Sequence, residues 1–287
     1  LSSAYGQEIL LSPDVLFRIG PYFGWRWIFL GTTIELKNLG VDNNSLKKEF
    51  TLSLYSAQIG VDLYYRRTGN DYKIRKANFG SDDVNDKLKS VPFDGLNVGI
   101  TGFNVYYIFN HNRFSYPAAF SQSTCQKISC GSWMAGLGYT HHNLELDHEK
   151  LKRVVEETTN NEVQIDSSLM FNRLKYDDIN VSVGYGYNWV FARNWLLGAS
   201  LSLALAYKWS SGDTNQPADD FSFKNFNLDG VGRIGVVWNN TKWYFGSNVI
   251  MHSYNYRKSR FAANNVFGSL NIYCGFNFGI KKSYSKK

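Results

Sequence analysis

The sequence lacks the long apolar runs from which membrane-spanning helices are built. Of its 287 residues, 19% are charged, against about a quarter in soluble domains, and 16% are aromatic. Its least polar stretch, residues 195–207, contains a glycine and two serines and is shorter than the ~20 residues that a spanning helix needs. The apolar content is too high for a disordered chain. The lack of a long apolar run excludes a helical membrane protein, and the high apolar content excludes an intrinsically disordered one.

Cysteines and sequence motifs of known chemistry are also scarce. Of the three cysteines, Cys125 and Cys130 lie close together and Cys274 stands alone. A pair and a singleton suit an oxidising compartment, so we predict a Cys125–Cys130 disulfide, with two free thiols as the alternative. The chain contains no CxxC pair, Walker loop, GxSxG, HExxH or dinucleotide fingerprint. No cofactor, metal or catalytic residue is therefore predicted.

The net charge of +7 carries no dense basic stripe. The 31 Lys and Arg residues outnumber the 24 Asp and Glu residues, but the basic ones sit at segment ends and in turns. Nucleic-acid binding normally needs Lys and Arg clustered on one face. The charge pattern therefore predicts no nucleic-acid partner.

What the chain does have is strict alternation with a period of two. Between Trp195 and Trp209 every second residue is apolar, with aromatics at both ends, and the interleaved residues are mostly small or polar. Fourteen steps of ~3.3 Å, tilted by ~45°, cover the apolar core of a bilayer. Residues 179–189 and 269–280 repeat the pattern. Such repeated alternation is typical of outer-membrane β-barrels.

The alternation predicts about ten strands, eight or twelve being the alternatives. They cover residues 25–36, 49–57, 59–72, 95–109, 131–146, 177–190, 194–209, 224–239, 241–256 and 262–281. Short turns alternate with long loops, which is typical of barrels with short periplasmic turns and long extracellular loops. The predicted fold is an all-β, transmembrane, antiparallel up-and-down barrel. It forms one domain, residues 25–287, after a periplasmic N-terminal lead-in, residues 1–24.

Charged residues also occur at inward positions of the predicted strands. Asp62, Tyr64 and Arg66 share the inward face of one strand, and Asp229 and Arg233 share that of another. Buried charges must be paired, so we predict a polar network that fills the lumen. We expect cross-lumen pairs such as Arg66 with Asp229 or Asp62 with Arg233. A gated polar pore is the alternative.

Tryptophans mark the ends of the predicted strands. Aromatic residues of barrels sit at the two membrane interfaces. We therefore predict an aromatic girdle made of Trp189, Trp195, Trp209, Trp238 and Trp243. The chain begins without Met and shows no signal segment, so we expect a mature exported protein with its signal peptide removed, in the outer membrane of a Gram-negative cell. Its expected partners are outer-membrane lipid and lipopolysaccharide.

Three groups of residues invite a chemical role, and each has a simpler explanation. His252 and Ser253 are neighbours on a strand and face opposite sides, so they cannot act together. The histidines near the outer end of the fifth predicted strand suit a hydrated rim better than a metal site. Two acidic runs suit solvated loops better than calcium sites. The histidines are His141, His142 and His148; the runs are Asp82, Asp83 and Asp86, and Asp213, Asn215, Asp219 and Asp220.

Three stretches carry a resemblance to a known family. They are GPYFGWRW at 20–27, the segment from SLYS to GVDLYYRR at 53–67, and RFSYPAAFSQ at 113–122. Over most of its length the chain resembles an uncharacterised family of outer-membrane proteins from Bacteroides-type bacteria, described as a domain of unknown function. The resemblance implies an outer-membrane barrel and carries over no catalytic residue.

Three functions are compatible with these observations. The first is a non-enzymatic structural or accessory subunit of an envelope assembly, with a largely filled lumen, which docks through its loops to other outer-membrane proteins or lipoproteins. The second is a small pore for ions or small solutes. A lipid-modifying or proteolytic barrel enzyme fits less well, because no nucleophile and base share a face. Aromatic candidates for docking are Phe114, Tyr116, Phe120, Phe171, Phe221 and Phe223.

Overall fold

The computed structural model is built mainly of strands. It describes residues 1–3, 6–13, 18–25, 28–32, 34–35, 48–68, 72–80, 82–122, 124–160, 162–166, 169–210, 225–258 and 261–278. The strands are β1 (Ser2–Ser3), β2 (Glu8–Pro13), β3 (Arg18–Ile19), β4 (Tyr22–Trp25), β5 (Ile28–Thr32), β6 (Ile34–Glu35), β7 (Lys48–Tyr55), β8 (Ile59–Arg67), β9 (Tyr72–Asn78), β10 (Pro92–Phe93), β11 (Leu96–Ile108), β12 (Cys130–Leu146), β13 (Arg173–Ala192), β14 (Trp195–Ser210), β15 (Phe226–Asn239), β16 (Trp243–Lys258) and β17 (Phe261–Phe276). The helices are α1 (Asp82–Lys87), α2 (Tyr116–Phe120) and α3 (His148–Thr159).

Fifteen of these strands form one antiparallel sheet. Its order is β10-β9-β2-β1-β17-β16-β15-β14-β13-β12-β11-β8-β7-β5-β4, and β3 pairs with β6 separately. Twelve strands follow an up-and-down antiparallel arrangement. The prediction of an all-β, antiparallel up-and-down fold is therefore confirmed. None of the described helices has the length and apolar character needed to cross a bilayer.

Long strands form where the sequence alternates. On β13, Val181 and Val183 are 58% and 55% exposed, whereas Gly184 and Gly186 between the outward residues are buried. Successive side chains of a strand point to opposite faces, so one residue type lines each face. The seven strands from β11 to β17 begin and end within about five residues of the predicted bounds, as is usual for boundaries read from a pattern.

The sheet curls so that its two sides face each other across an interior. Side chains of β8 reach those of β15 and β16: Arg233 Nη2 lies 3.0 Å from Asp62 Oδ2, and the Tyr64 and Tyr254 hydroxyls are 2.8 Å apart. Within the described ranges no ladder joins the first and last strands of the sheet, β10 and β4. The curl creates an enclosed set of inward positions, which is where the site is found.

The curled sheet has two unlike ends. The short-turn end carries the turns at 56–58, 193–194 and 240–242, and also the connection 109–129, which contains α2. The long-loop end carries the connections 68–95, with β9, β10 and α1, and 147–172, with α3. Asp147 precedes helix α3, and its carboxylate accepts the Lys150 N–H. It thereby satisfies a donor that the first turn leaves open.

Three predicted segments differ from the structure. The predicted strand 25–36 is a hairpin, because β4 reverses into β5 with Trp25 opposite Ile28. The predicted loop 73–94 contains β9, α1 and β10. The first residues, predicted as a lead-in at the short-turn end, lie at the long-loop end, where β1 pairs with β17 and β2 with β9. Burial of Ile9 in the core of that end explains why this segment joins the sheet.

Each end of the interior is closed by an apolar cluster. At the long-loop end, β9, β10, α1 and α3 bury a core that includes Ile74, Phe93 and Leu151. At the short-turn end, Phe114 and Tyr116 pack against Ile108 and Met134. Burial of apolar side chains stabilises both closures. The inward polar groups between them are therefore screened from solvent at both ends.

Candidate functional site

The centre of the interior holds an ion pair that joins opposite walls. Asp62 on β8 accepts from Arg233 on β15 at 3.0 Å, and the two side chains are only 9% and 13% exposed. The other guanidinium nitrogen of Arg233, Nη1, donates to the Tyr116 hydroxyl at 2.6 Å. This is one of the two cross-lumen pairings expected from the sequence. Its position ties the two walls and the short-turn closure together.

A second ion pair lies nearer the long-loop end. The Lys208 ammonium donates to Asp229 at 2.9 Å, and the Asn255 N–H donates to the same carboxylate at 2.8 Å. The expected pairing of Arg66 with Asp229 is therefore wrong. The Arg66 guanidinium instead lies 4.7 Å from the centre of the Phe267 ring. Lys208 is closer along the sheet to Asp229, because β14 and β15 are neighbours.

Histidine and tyrosine side chains continue the network towards the long-loop end. His142 Nε2 lies 3.5 Å from Asp178 Oδ2, and its ring stacks on Tyr176 with the centres 4.3 Å apart. Tyr64, predicted as a member of the network, makes hydrogen bonds of 3.0 Å to Thr140 and 2.8 Å to Tyr254. The Tyr64, Thr140 and Tyr254 hydroxyls thus satisfy one another inside the interior.

Among the described residues, the network contains three acids and three bases. Its acids are Asp62, Asp178 and Asp229, and its bases are Arg66, Lys208 and Arg233. Ion-selective pores carry rings of one sign, whereas this set holds both signs and includes two close ion pairs, Asp62–Arg233 and Lys208–Asp229. The two ion pairs can therefore brace the walls of the sheet.

A short plug closes the short-turn end. Ser115 precedes α2 and its side chain accepts the Ala118 N–H, while Pro117 occupies the first turn, where its missing N–H costs nothing. Ala119 packs on Gly198 of β14 so closely that an added Cβ there would lie 2.5 Å from the alanine methyl. Gln122 donates to the Tyr273 hydroxyl at 2.7 Å. The plug, residues 113–122, thus seats on at least two strands.

A cavity remains between the plug and the second ion pair. Its volume is about 70 Å³, and both central charges, Asp62 and Arg233, border it. Small polar side chains supply much of the remaining lining, including Asn104, Asn180, Ser182, Ser200 and Ser202. Such a cavity can hold ordered water, because several polar partners converge on it.

The residues considered for catalysis or metal binding are engaged elsewhere. His252 faces inward and stacks on Phe267 with the ring centres 4.8 Å apart. His141 bonds to Asp177 at 2.7 Å on the face opposite to His142, and His148 bonds to Asn172 at 2.7 Å. Within the described ranges, no three His, Cys, Asp or Glu side chains form a metal-binding group. The run from Asp213 to Asp220 lies outside them.

The cysteines are free thiols in the structure, in contrast to the disulfide predicted. Cys125 Sγ lies 3.7 Å from the Asn239 carbonyl on β15, and Cys130 Sγ lies 3.1 Å from the Arg113 carbonyl. Each sulfur is thus directed to a different part of the short-turn end. A disulfide needs Cβ atoms about 4 Å apart, which nearness in sequence does not supply.

The predicted girdle tryptophans lie at both ends of the long strands. Trp189, Trp195, Trp238 and Trp243 are at the short-turn end, and Trp209 is at the long-loop end. Several are joined by ring contacts: Trp195 and Trp238 each lie within 5.5 Å of Phe245, measured between ring centres. The four tryptophans at the short-turn end lie on the outer face of the sheet, and Trp209 lies apart from them.

Two of the aromatic residues predicted as docking candidates are buried instead. Phe114 and Tyr116 belong to the plug, Phe120 is half-buried beside them, and Phe171 packs against the core of the long-loop end. Phe221 and Phe223 lie outside the described residues. The sequence does not show whether an aromatic residue of a loop is exposed, because a loop that folds inward can have the same composition as one that faces solvent.

Comparison with protein families identifies the chain. A family described as a domain of unknown function, DUF4421, matches residues 2–278. The chain belongs to the DUF4421 family. No curated protein and no solved structure matches it. This match confirms the resemblance to an uncharacterised family, and it assigns no activity to the interior network.

Proposed function

We propose that this DUF4421 protein is an integral β-barrel of a Gram-negative outer membrane. The observation that carries the proposal is the apolar outer face of the four neighbouring strands β14 to β17, on which Leu228, Ile234 and Met251 are also exposed. Leu201 is 58% exposed and Ile272 82% exposed, and Leu203, Leu205 and Leu270 extend the same surface. A soluble protein rarely exposes an apolar patch of this extent, because each apolar Å² costs about 25 cal/mol in water. Lipid contact removes that cost.

Within the membrane we propose a non-enzymatic structural or accessory role. The interior is braced by the Asp62–Arg233 and Lys208–Asp229 pairs and closed at both ends by apolar clusters. Such a barrel presents loops and rims to other envelope proteins or lipoproteins, and to lipopolysaccharide, without moving solutes. An enzymatic role has less support, because His252 and Ser253 lie on opposite faces of β16.

A small pore is the second candidate, and the interior cavity favours it. Its lining of asparagine and serine side chains suits water and small polar solutes. The plug and the central ion pair would then have to move to open a path. Conductance separates this candidate from the first.

The test combines membrane insertion with conductance. The protein is reconstituted into vesicles, and insertion is scored by protease protection and by heat-dependent mobility on SDS gels. The proposal expects insertion and an almost silent wild type in planar bilayers. Gly198→Val should displace Ala119 and the plug, and raise conductance. Gly232→Ala, at a position with no atom within 4 Å of an added Cβ, is the matched control.

Two results contradict the proposal in different ways. A chain that stays soluble, or that proteases digest completely, is not an integral barrel. A large and steady wild-type conductance would replace the structural role with the pore. Purification in mild detergent then tests the accessory role, which expects other envelope proteins to co-purify with the chain.

A further inference from the structure

Four basic side chains stand exposed at the short-turn end. Arg113 and Lys127 lie in the connection that holds the plug, Arg193 in the turn between β13 and β14, and Lys242 in the turn between β15 and β16. None of the four makes an ion pair with another described residue. Three different hairpins therefore present unpaired positive charge to the same side of the molecule.

The same end is free of acidic residues. The sequence contains no Asp or Glu between residues 50 and 61, between 95 and 144, between 179 and 212, or after Asp229. Each of these windows contains a turn or connection of the short-turn end. The positive charge there is consequently uncompensated over the described residues.

The long-loop end is built differently. Its connections carry both signs, and several of the charges are paired: Lys87 with Glu162 at 3.5 Å, Lys150 with Asp94 at 2.6 Å and Lys152 with Glu156 at 3.7 Å. The excess of unpaired basic side chains is therefore confined to the short-turn end.

Exposed aromatic rings flank the basic turns. Arg193 lies between Phe191 and Trp195, whose ring centres are 6.0 Å apart. Lys242 precedes Trp243, whose ring centre is 5.4 Å from that of Phe276. Five of the six tryptophans whose side chains the structure describes lie towards this end, and Trp209 is the exception. Trp rings prefer the headgroup level of a membrane, with charged side chains just beyond them.

We propose that the short-turn end is a binding surface for the phosphate groups of anionic phospholipids. The inference rests on the proposed function, because in a barrel the short turns face the periplasmic leaflet. Lipid fits better than an acidic protein, since the bases are spread over three hairpins and interleaved with interfacial rings. One Lys or Arg near an anionic surface contributes about 1 kcal/mol, or about fivefold in lipid preference.

Quenching of tryptophan fluorescence by brominated lipid tests the proposal. The protein is reconstituted into phosphatidylcholine vesicles that contain either brominated phosphatidylglycerol or brominated phosphatidylcholine, and the two quenching curves give a relative affinity. The variant removes four positive charges: Arg113→Gln, Lys127→Gln, Arg193→Gln and Lys242→Gln. The matched control removes four exposed ones from the long-loop end: Lys76→Gln, Lys89→Gln, Lys152→Gln and Arg153→Gln.

The expected preference of the wild type for phosphatidylglycerol is about fivefold. It should fall to about one in the short-turn variant and stay near the wild-type value in the control. A wild type that inserts normally but shows no preference overturns the inference, leaves the barrel intact and redirects attention to an acidic protein partner. Equal losses in both variants also overturn it. Failure of the wild type to insert overturns the proposed function itself.

Discussion

Removing one partner of the Lys208–Asp229 pair should destabilise the protein strongly. The two side chains are 0% and 4% exposed, and Nζ lies 2.8 Å from Oδ2. At an effective dielectric of ~20 their attraction is about 6 kcal/mol, most of which offsets the cost of removing both charges from water. Asp229→Asn or Lys208→Met leaves the remaining charge uncompensated, and each should lower the free energy of unfolding by ~3–5 kcal/mol.

The double variant is the decisive measurement. It removes both charges, so its loss should be smaller than the sum of the two single losses by ~2 kcal/mol or more. Denaturant titrations followed by tryptophan fluorescence give the three values. Lys152→Met, which breaks an exposed pair with Glu156, should cost less than ~1 kcal/mol and serves as the control. Strictly additive losses, or single losses no larger than the control, would refute a buried pair.

Three further predictions concern the outer face of the sheet, the three cysteines and the Asp94–Lys150 contact. Leu201→Arg on the outer face should cost ~2–4 kcal/mol in a bilayer, and Ser202→Thr on the inner face much less; the reverse order in folding titrations would mean that the facing is shifted by one residue. Thiol labelling of the unfolded, unreduced chain should modify all three cysteines, since they are free in the structure; one modified thiol would instead indicate the Cys125–Cys130 disulfide. The hydrogen bond from Lys150 lowers the pKa of Asp94, so this contact stabilises the α3 end at pH values above the pKa of Asp94 in the unfolded chain and is lost as the pH falls through the lowered pKa. Because both groups are exposed, the contact should contribute less than ~1 kcal/mol to the difference in unfolding free energy between pH 6 and pH 2. That contribution should be absent in Asp94→Asn.

The long strands could be predicted from sequence because one face of each has a single chemical character. Alternation fixed the facing of Asp62 and Arg233, and that of Leu201 on the opposite side. It failed where strands are short. β9 and β10 offer too few residues for a period to be recognised, and the reversal between Trp25 and Ile28 has no glycine or proline to mark it.

The partners inside could be predicted only in part. The inward direction of a charge follows from its place in the strand, but which charge it meets depends on how far the strands are staggered around the curl. Lys208 carried a usable signal, as the one charged residue on the inward face of β14. Its inward position alone does not indicate a partner, and Arg66 is therefore the base that the sequence pairs with Asp229.

The pairing of β1 with β17 has a consequence for the order in which the protein folds. Ser2 lies opposite Ala262, so two segments separated by nearly the whole chain share one ladder. Contacts of such long sequence separation form late, because closing the intervening loop lowers the entropy of the chain before these contacts can stabilise it. The hairpins from β11 to β17 join neighbours and can zip progressively. We therefore expect the first residues to remain unstructured while the chain emerges and to lock last, so that the long-loop end closes only after the final strand is in place.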